Sequence, residues 1–303
     1  MTVVSSPPSL VAQAGDRVAI RRGIVLKIAA VTVFSIMDMT VKWLSARYPT
    51  VQIIFCRSLF AFVPLAFFLW RNGGLDLLKT RRPGGHLLRA TVGAGALYCF
   101  FWAFGHMPLA DVVAIGFAAP LCMTAMSVWL LGERVGIRRW SAVAVGFVGV
   151  LLMVRPGAST VEFAALVAVL GTLLYSFGII LVRKLSETER SGTIVFYFTI
   201  GATVVFGAFL PAVWVTPSGT DAALLVLIGL LGGIGHLLIT RAYQLAPIAV
   251  VAPFDYMAIL WATGFGFVIF GELPGWATVA GSLIVVGSGL YILHRETVRA
   301  RDA

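Results

Sequence analysis

From Gly23 onward the chain is a succession of long apolar runs separated by short polar links. The runs fall near 23–43, 52–70, 87–106, 110–131, 138–154, 162–182, 193–213, 221–243, 248–270 and 276–294. About 20 apolar residues in an α-helix cross the hydrocarbon of a bilayer. The runs are too long for strands and do not alternate from residue to residue. The pattern therefore predicts ten transmembrane helices. Gly and Pro punctuate the links, as at Gly73-Gly74, Met107-Pro108, Gly132-Glu133, Thr216-Pro217-Ser218-Gly219, Ala246-Pro247 and Leu273-Pro274-Gly275. No link is long enough to hold a soluble domain. Ahead of the first run, residues 1–22 are polar and then basic and read as a disordered cytoplasmic tail. The run 23–43 exceeds the apolar core of a signal peptide and reads as a retained helix.

Composition agrees with the pattern. Hydrophobic residues make up 59% of the 303 and charged residues 12%, with mean hydropathy +0.96. Soluble domains carry about 25% charge, so this chain has too little polar surface to fold in water. Cys56, Cys99 and Cys122 all lie within apolar runs and form no CxxC pair, which argues against a disulfide framework or a metal site.

The formal net charge of +10 suggests a topology rather than a nucleic-acid partner. Of the 23 Lys and Arg residues, Arg57 lies inside a run, and Lys42, Arg47 and Arg155 fall on one side of the alternation. The other 19, Lys27 and Arg89 among them, fall on the opposite side. Basic residues collect on the cytoplasmic side. An even number of spans then puts both termini in the cytoplasm.

The chain also repeats itself. Met107-Pro108-Leu-Ala-Asp, running on to Gly132-Glu133, aligns without gaps on Ala246-Pro247-Ile-Ala-Val, running on to Gly271-Glu272. In each copy the Pro precedes the Glu by 25 residues, and the copies are offset by 139. A second match, Lys42-Trp-Leu-Ser45 with Arg183-Lys-Leu-Ser186, has an offset of 141. The unit is thus five helices, 23–155 and 160–294, with a cytoplasmic tail at 295–303. Five is odd, so the second copy enters the membrane from the opposite side. Inverted repeats of this kind place a substrate site between the halves and let them alternate access to it.

These Pro-to-Gly-Glu stretches, once per half of a ten-helix chain, resemble the EamA-type members of the drug/metabolite transporter superfamily. The segment Ala246-Pro-Ile-Ala-Val-Val-Ala-Pro-Phe-Asp-Tyr256 is similar to the start of that family's ninth helix. The resemblance implies a bacterial inner-membrane carrier with a central cavity lined by helices 3 and 9, moving amino acids, nucleoside-type metabolites, vitamins or drugs. Phe55-Cys-Arg57 together with Pro253-Phe-Asp-Tyr256 is most similar to carriers of S-adenosylmethionine or riboflavin.

Ionisable groups inside a span face a partner or a cavity. Estimated depth sorts them into Asp38, Lys42 and Arg57 on one side of the midplane and His236, Arg241 and Asp255 on the other. Lys42 and Arg241 also suit structural roles, as a snorkelling or paired lysine and an orientation charge. His236 shares a helical face with Gly229, Gly232 and Gly233, which predicts close helix packing. Asp38, Arg57, His236 and Asp255 are candidate substrate-binding residues. Tyr98, Trp102 and Tyr256 join them as stacking platforms, because helices 3 and 9 line the cavity if the resemblance holds. Glu133 and Glu272 read as loop-fixing groups at helix ends.

The expected partners are a small-molecule substrate and the lipid bilayer, without nucleic acid, and a monomer and a homodimer are both open. No cofactor or metal is expected. A lipid-modifying enzyme is the alternative function, but the four histidines are far apart and HExxH, GxSxG and Walker A patterns are missing. A channel or scaffold is the other.

Overall fold

The computed structural model of the protein describes residues 10–72, 74, 78–132, 135–154 and 159–302. Glu133, Arg134, Arg155 and residues 1–9 lie outside this set. The described residues form helices α1 (Leu10–Ser45), α2 (Thr50–Asn72), α3 (Pro83–His106), α4 (Leu109–Gly116), α5 (Ala119–Leu130) and α6 (Ile137–Val154). They continue with α7 (Ser159–Leu185), α8 (Ser191–Phe209), α9 (Gly219–Leu245), α10 (Ile248–Val251), α11 (Met257–Phe270) and α12 (Trp276–Asp302). Among these residues, ten segments are long and apolar enough to cross a membrane, from Val18–Ser45 to Trp276–Leu293. The protein is an all-helical, multi-pass membrane protein.

One detail differs from expectation. Helix α1 begins at Leu10, so residues 10–22 extend the first span as helix rather than forming a disordered tail. Backbone hydrogen bonding continues from the apolar run into the polar segment because no proline interrupts it between Leu10 and Gly23. At the other terminus α12 runs on as helix to Asp302.

Two spans are broken. The fourth is α4 and α5, separated at Phe117-Ala118 ahead of Pro120. The ninth is α10, a 3₁₀ stretch Ala252–Tyr256 containing Pro253, and α11. Proline supplies no backbone N–H and crowds the preceding turn, which interrupts the ladder.

The sequence repeat has a backbone counterpart. Met107 (φ −148°, ψ 166°) and Ala246 (φ −143°, ψ 147°) are both extended, as the residue before a proline prefers. Pro108 and Pro247 then start the next helix, accepting from Asp111 N and Val250 N at 3.0 and 2.9 Å. Gly132 and Gly271 both have φ +67°, a left-handed conformation that costs glycine little. At Gly271 this turn closes α11 and lets Glu272 N donate to Gly266 O at 2.9 Å.

Packing follows the same correspondence. Helix α1 packs along α9, and their counterparts α7 and α3 pack along each other. Helix α2 packs on α8, and α6 on α12. Beyond Ser45, Gln52 exchanges two hydrogen bonds with the Val215 backbone at 2.7 and 2.9 Å. In the same region Tyr48 Oη and Arg47 Nη1 donate to Asp221 at 2.9 and 3.2 Å. At the opposite end Glu189, in the α7–α8 link, accepts from Thr80 Oγ1 and Arg81 N at 3.0 and 2.8 Å. It also lies 3.7 Å from His86 Nε2.

Candidate functional site

The charged residues of the interior lie on α1, α2, α3, α9 and the broken ninth span. Lys27, on α1, is fully buried, with Nζ 2.7 Å from Asp255 Oδ1 and 2.9 Å from Tyr243 Oη. Asp255 belongs to the 3₁₀ stretch, whose tighter winding resets the side-chain directions along the span, and its carboxylate meets α1. Its side chain remains 45% accessible although its partner is sealed. Asp255, Tyr243 and Arg89 all act electrostatically on Tyr175 of α7, which is itself 46% exposed. Tyr175 packs edge-on against Phe100 and has buried residues on both sides of it along α7.

Arg57, on α2, is 97% buried, at 3% relative exposure. Its guanidinium lies over Gly232 of α9, where an added Cβ would stand 3.0 Å from Nε and 3.3 Å from Nη2. Nη2 is 3.4 Å from His236 Nε2, and Phe34 meets the His236 ring edge-on at 5.3 Å. Asp38 and Arg57 interact electrostatically across α1 and α2. The glycine face of α9 makes this arrangement possible. A Cβ at Gly229 or Gly233 would collide with Phe60 or Pro64 of α2.

Arg89, on α3, points inward between α7 and α8. Its guanidinium sits 4.4 Å from the centre of the Phe198 ring, and Gly178 leaves it room. Its Nε and Nη1 are buried without a hydrogen-bond partner, as is Arg57 Nε.

Lys42 is built into a different structure. Nζ is 2.9 Å from Glu272 Oε1 and donates to Met107 O and Phe104 O at 2.8 and 3.3 Å. Glu272 Oε2 accepts from Leu109 N at 3.3 Å. One lysine thus joins the end of α1, the α3–α4 turn and the α11–α12 turn, and Glu272 has the loop-fixing role its position suggested.

The groups therefore combine differently from their estimated depths. Arg57 joins His236 and Asp38, Asp255 joins Lys27, and Lys42 pairs with Glu272. Arg241 is exposed and bonds Gln244 at 3.0 Å. Depth along a helix can be counted from sequence, but the direction a side chain faces in a ten-helix bundle cannot. Tyr256 meets Phe117 edge-on at 5.1 Å, beside the Lys27–Asp255 pair. Tyr98 stacks on Phe206, and Trp102 stacks on His106 and meets Phe163. The structure does not bring Tyr98 or Trp102 to the charged cluster. They share the accessible stripe of α3 that includes Leu88 and Thr91.

Lys27 and Arg89 are the interior charges that positive-side counting absorbed. A signal was present: each sits inside an apolar run or at its start, where a surface cation has no reason to be.

The EamA-like transporter family matches residues 21–155 and again residues 162–293. The chain belongs to the EamA-like transporter family. Its curated relatives include a riboflavin transporter of Rhizobium johnstonii, 30% identical, with 88% of this chain and 89% of that protein aligned. A pseudopaline exporter of Pseudomonas aeruginosa is 31% identical over 88% of this chain and 94% of the relative. An S-adenosylmethionine uptake transporter of Rickettsia prowazekii is 28% identical over 86% and 89%. A solved crystal structure with 18% identity aligns over 88% of this chain and 95% of its own, with TM-score 0.62, which shows a shared fold. As an EamA-like protein this chain is a transporter, and the relatives' names point to no enzyme.

Proposed function

We propose that this EamA-like protein carries a small metabolite across the bacterial inner membrane by alternating access between two inverted five-helix halves, 23–155 and 160–294. Both termini lie in the cytoplasm in this reading. The observation that carries it is the Lys27–Asp255 pair. A lysine is sealed inside the bundle, on a carboxylate that stays 45% accessible, where a spanning helix is broken. Broken helices with charged groups at mid-bundle are where inverted-repeat carriers hold their substrates.

Repeat symmetry supports the inversion. Phe117 and Tyr256, which occupy equivalent positions at the offset of 139, touch each other. The α1–α9 and α7–α3 packings correspond, as do the links tied by Asp221 at one end and Glu189 at the other. Asp38, Arg57, His236, Asp255 and Tyr256 are substrate-site residues in this proposal, joined by Lys27 and Arg89.

The test is counterflow in proteoliposomes with riboflavin, pseudopaline and S-adenosylmethionine, the compounds named for the relatives. Saturable exchange that is lost in Asp255→Asn, with normal folding, is the expected result. A reporter fused to the C-terminus and found outside the cell would refute the inverted ten-span arrangement.

A further inference from the structure

We infer that the interior site is built for a substrate of net negative charge, whose carboxylate or phosphate docks at Arg89 and Arg57. This inference rests on the carrier reading above and names the substrate class.

The cations of the cluster are not equally matched. Lys27 is matched by Asp255 at 2.7 Å. Arg57 has Asp38 as its electrostatic counterpart. Arg89 has no such match: among the described residues no carboxylate lies within ion-pair distance of it. His236, which both arginines act on, contributes no anion.

Guanidinium N–H groups buried without an acceptor or counter-charge are unfavourable. Here the hydrogen-bonding capacity is also unspent. Arg89 Nε and Nη1 and Arg57 Nε lack partners. The guanidinium fork matches the two oxygens of a carboxylate or phosphate, which would supply the missing charge and the missing acceptors together. The surroundings add a shape requirement. Arg89 is held 4.4 Å from the centre of the Phe198 ring, and Tyr175 of α7 is near enough to act on it electrostatically. A planar or apolar body next to the anionic group would meet those rings. A net cation would add positive charge beside a guanidinium that has no carboxylate at ion-pair distance among the described residues. Of the compounds named for the relatives, S-adenosylmethionine is therefore the poorest fit, since its sulfonium and ammonium outnumber its carboxylate.

Matched probes test this on the full-length protein. Thermal shifts in detergent compare adenosine monophosphate, adenosine and S-adenosylmethionine; riboflavin 5′-phosphate and riboflavin; and benzoate, benzamide and benzamidine. In at least one set the anion should stabilise the protein at a concentration tenfold or more below its neutral or cationic partner. Arg89→Gln should raise the apparent Kd of that anion at least tenfold, and Arg89→Lys should recover part of the loss. The variant also separates binding from structure: Arg89 has no carboxylate to orphan and gives up only its contact with Phe198, so Arg89→Gln should leave the unliganded Tm close to that of the parent. Anion response unchanged in Arg89→Gln, stabilisation by the cation ahead of the anion in every set, or no anion response in any set would each overturn the inference. Counterflow is read separately. Saturable exchange of S-adenosylmethionine without any anion would sustain transport and remove the anion assignment. Anion binding without flux of any probe would do the reverse.

Discussion

Removing the Lys42 ammonium should unfasten one end of the bundle. Lys42 Nζ and Glu272 Oε1 are 2.9 Å apart, with the lysine side chain 9% exposed and the glutamate 29%. Neutralising one partner of a buried pair costs about 3–5 kcal/mol, most of it from the charge left behind. The partial exposure of Glu272 lowers this to about 2–3 kcal/mol. In Lys42→Met, Glu272 keeps only the Leu109 N–H at 3.3 Å, and the Phe104 and Met107 carbonyls lose their lysine donor. At about 1.4 kcal/mol per tenfold, the equilibrium between joined and parted halves shifts about 30- to 150-fold toward the parted form. A cysteine at Ala110, now 3% exposed beside Leu109, reports the change. Its rate of alkylation by a membrane-impermeant maleimide should rise by that factor, against a parent background in which Cys56, Cys99 and Cys122 are buried. The exchange Lys42→Glu with Glu272→Lys should recover part of the protection. If Lys42→Met leaves the Ala110→Cys rate within twofold, the pair does not hold the halves together and the reasoning fails.

Three further outcomes follow from the same contacts. Gly233→Ala drives a methyl into Pro64 and should lower the Tm in detergent, at a cost of about 1–3 kcal/mol for overpacking, whereas exposed Gly219→Ala, which meets nothing, should be close to neutral. Burial pushes the Glu189 carboxyl up, but the Arg81 amide, the Thr80 hydroxyl and nearby His86 outweigh it, so its pKa lies below the ordinary value. Glu189 therefore contributes stability that is full above its unfolded pKa of about 4.3 and is lost as pH falls through its lower folded value. Glu189→Gln should lower the Tm at pH 7 and flatten the acid limb of a Tm-against-pH curve; an unchanged limb would contradict this. Tyr98→Leu and Trp102→Leu, away from the charged cluster, should keep counterflow KM within about twofold, whereas Lys27→Met, which strands Asp255, should abolish exchange.

Why the helices were legible and the site only partly so has a physical explanation. A bilayer demands a continuous apolar run, and that demand is written into every span, broken ones included. Pro108 with Pro247, and Gly132 with Gly271, were visible as spacing because each pair fixes a backbone conformation that few other residues adopt. The glycine face around His236 was visible for the same reason, since Gly229 and Gly233 let α2 approach closely. The direction in which a charge faces carries no such mark. Lys27 and Arg89 contribute to the basic count as any surface lysine or arginine would, and only tertiary contact separates them from it. The pairing of Lys42 with Glu272 spans 230 positions and two repeats, beyond any local pattern.

The contact between Phe117 and Tyr256 has a kinetic meaning of its own. If the halves are inverted copies, a residue that meets its own counterpart lies on the axis relating them, and its surroundings are nearly the same whichever mouth is open. Substitution there raises or lowers the barrier between the two orientations without favouring either. The ring pair would then act as a pacemaker, setting how often the carrier turns over, while off-axis groups such as Lys42 decide where it rests. Trimming Phe117 to Leu should change maximal flux in both directions by one common factor.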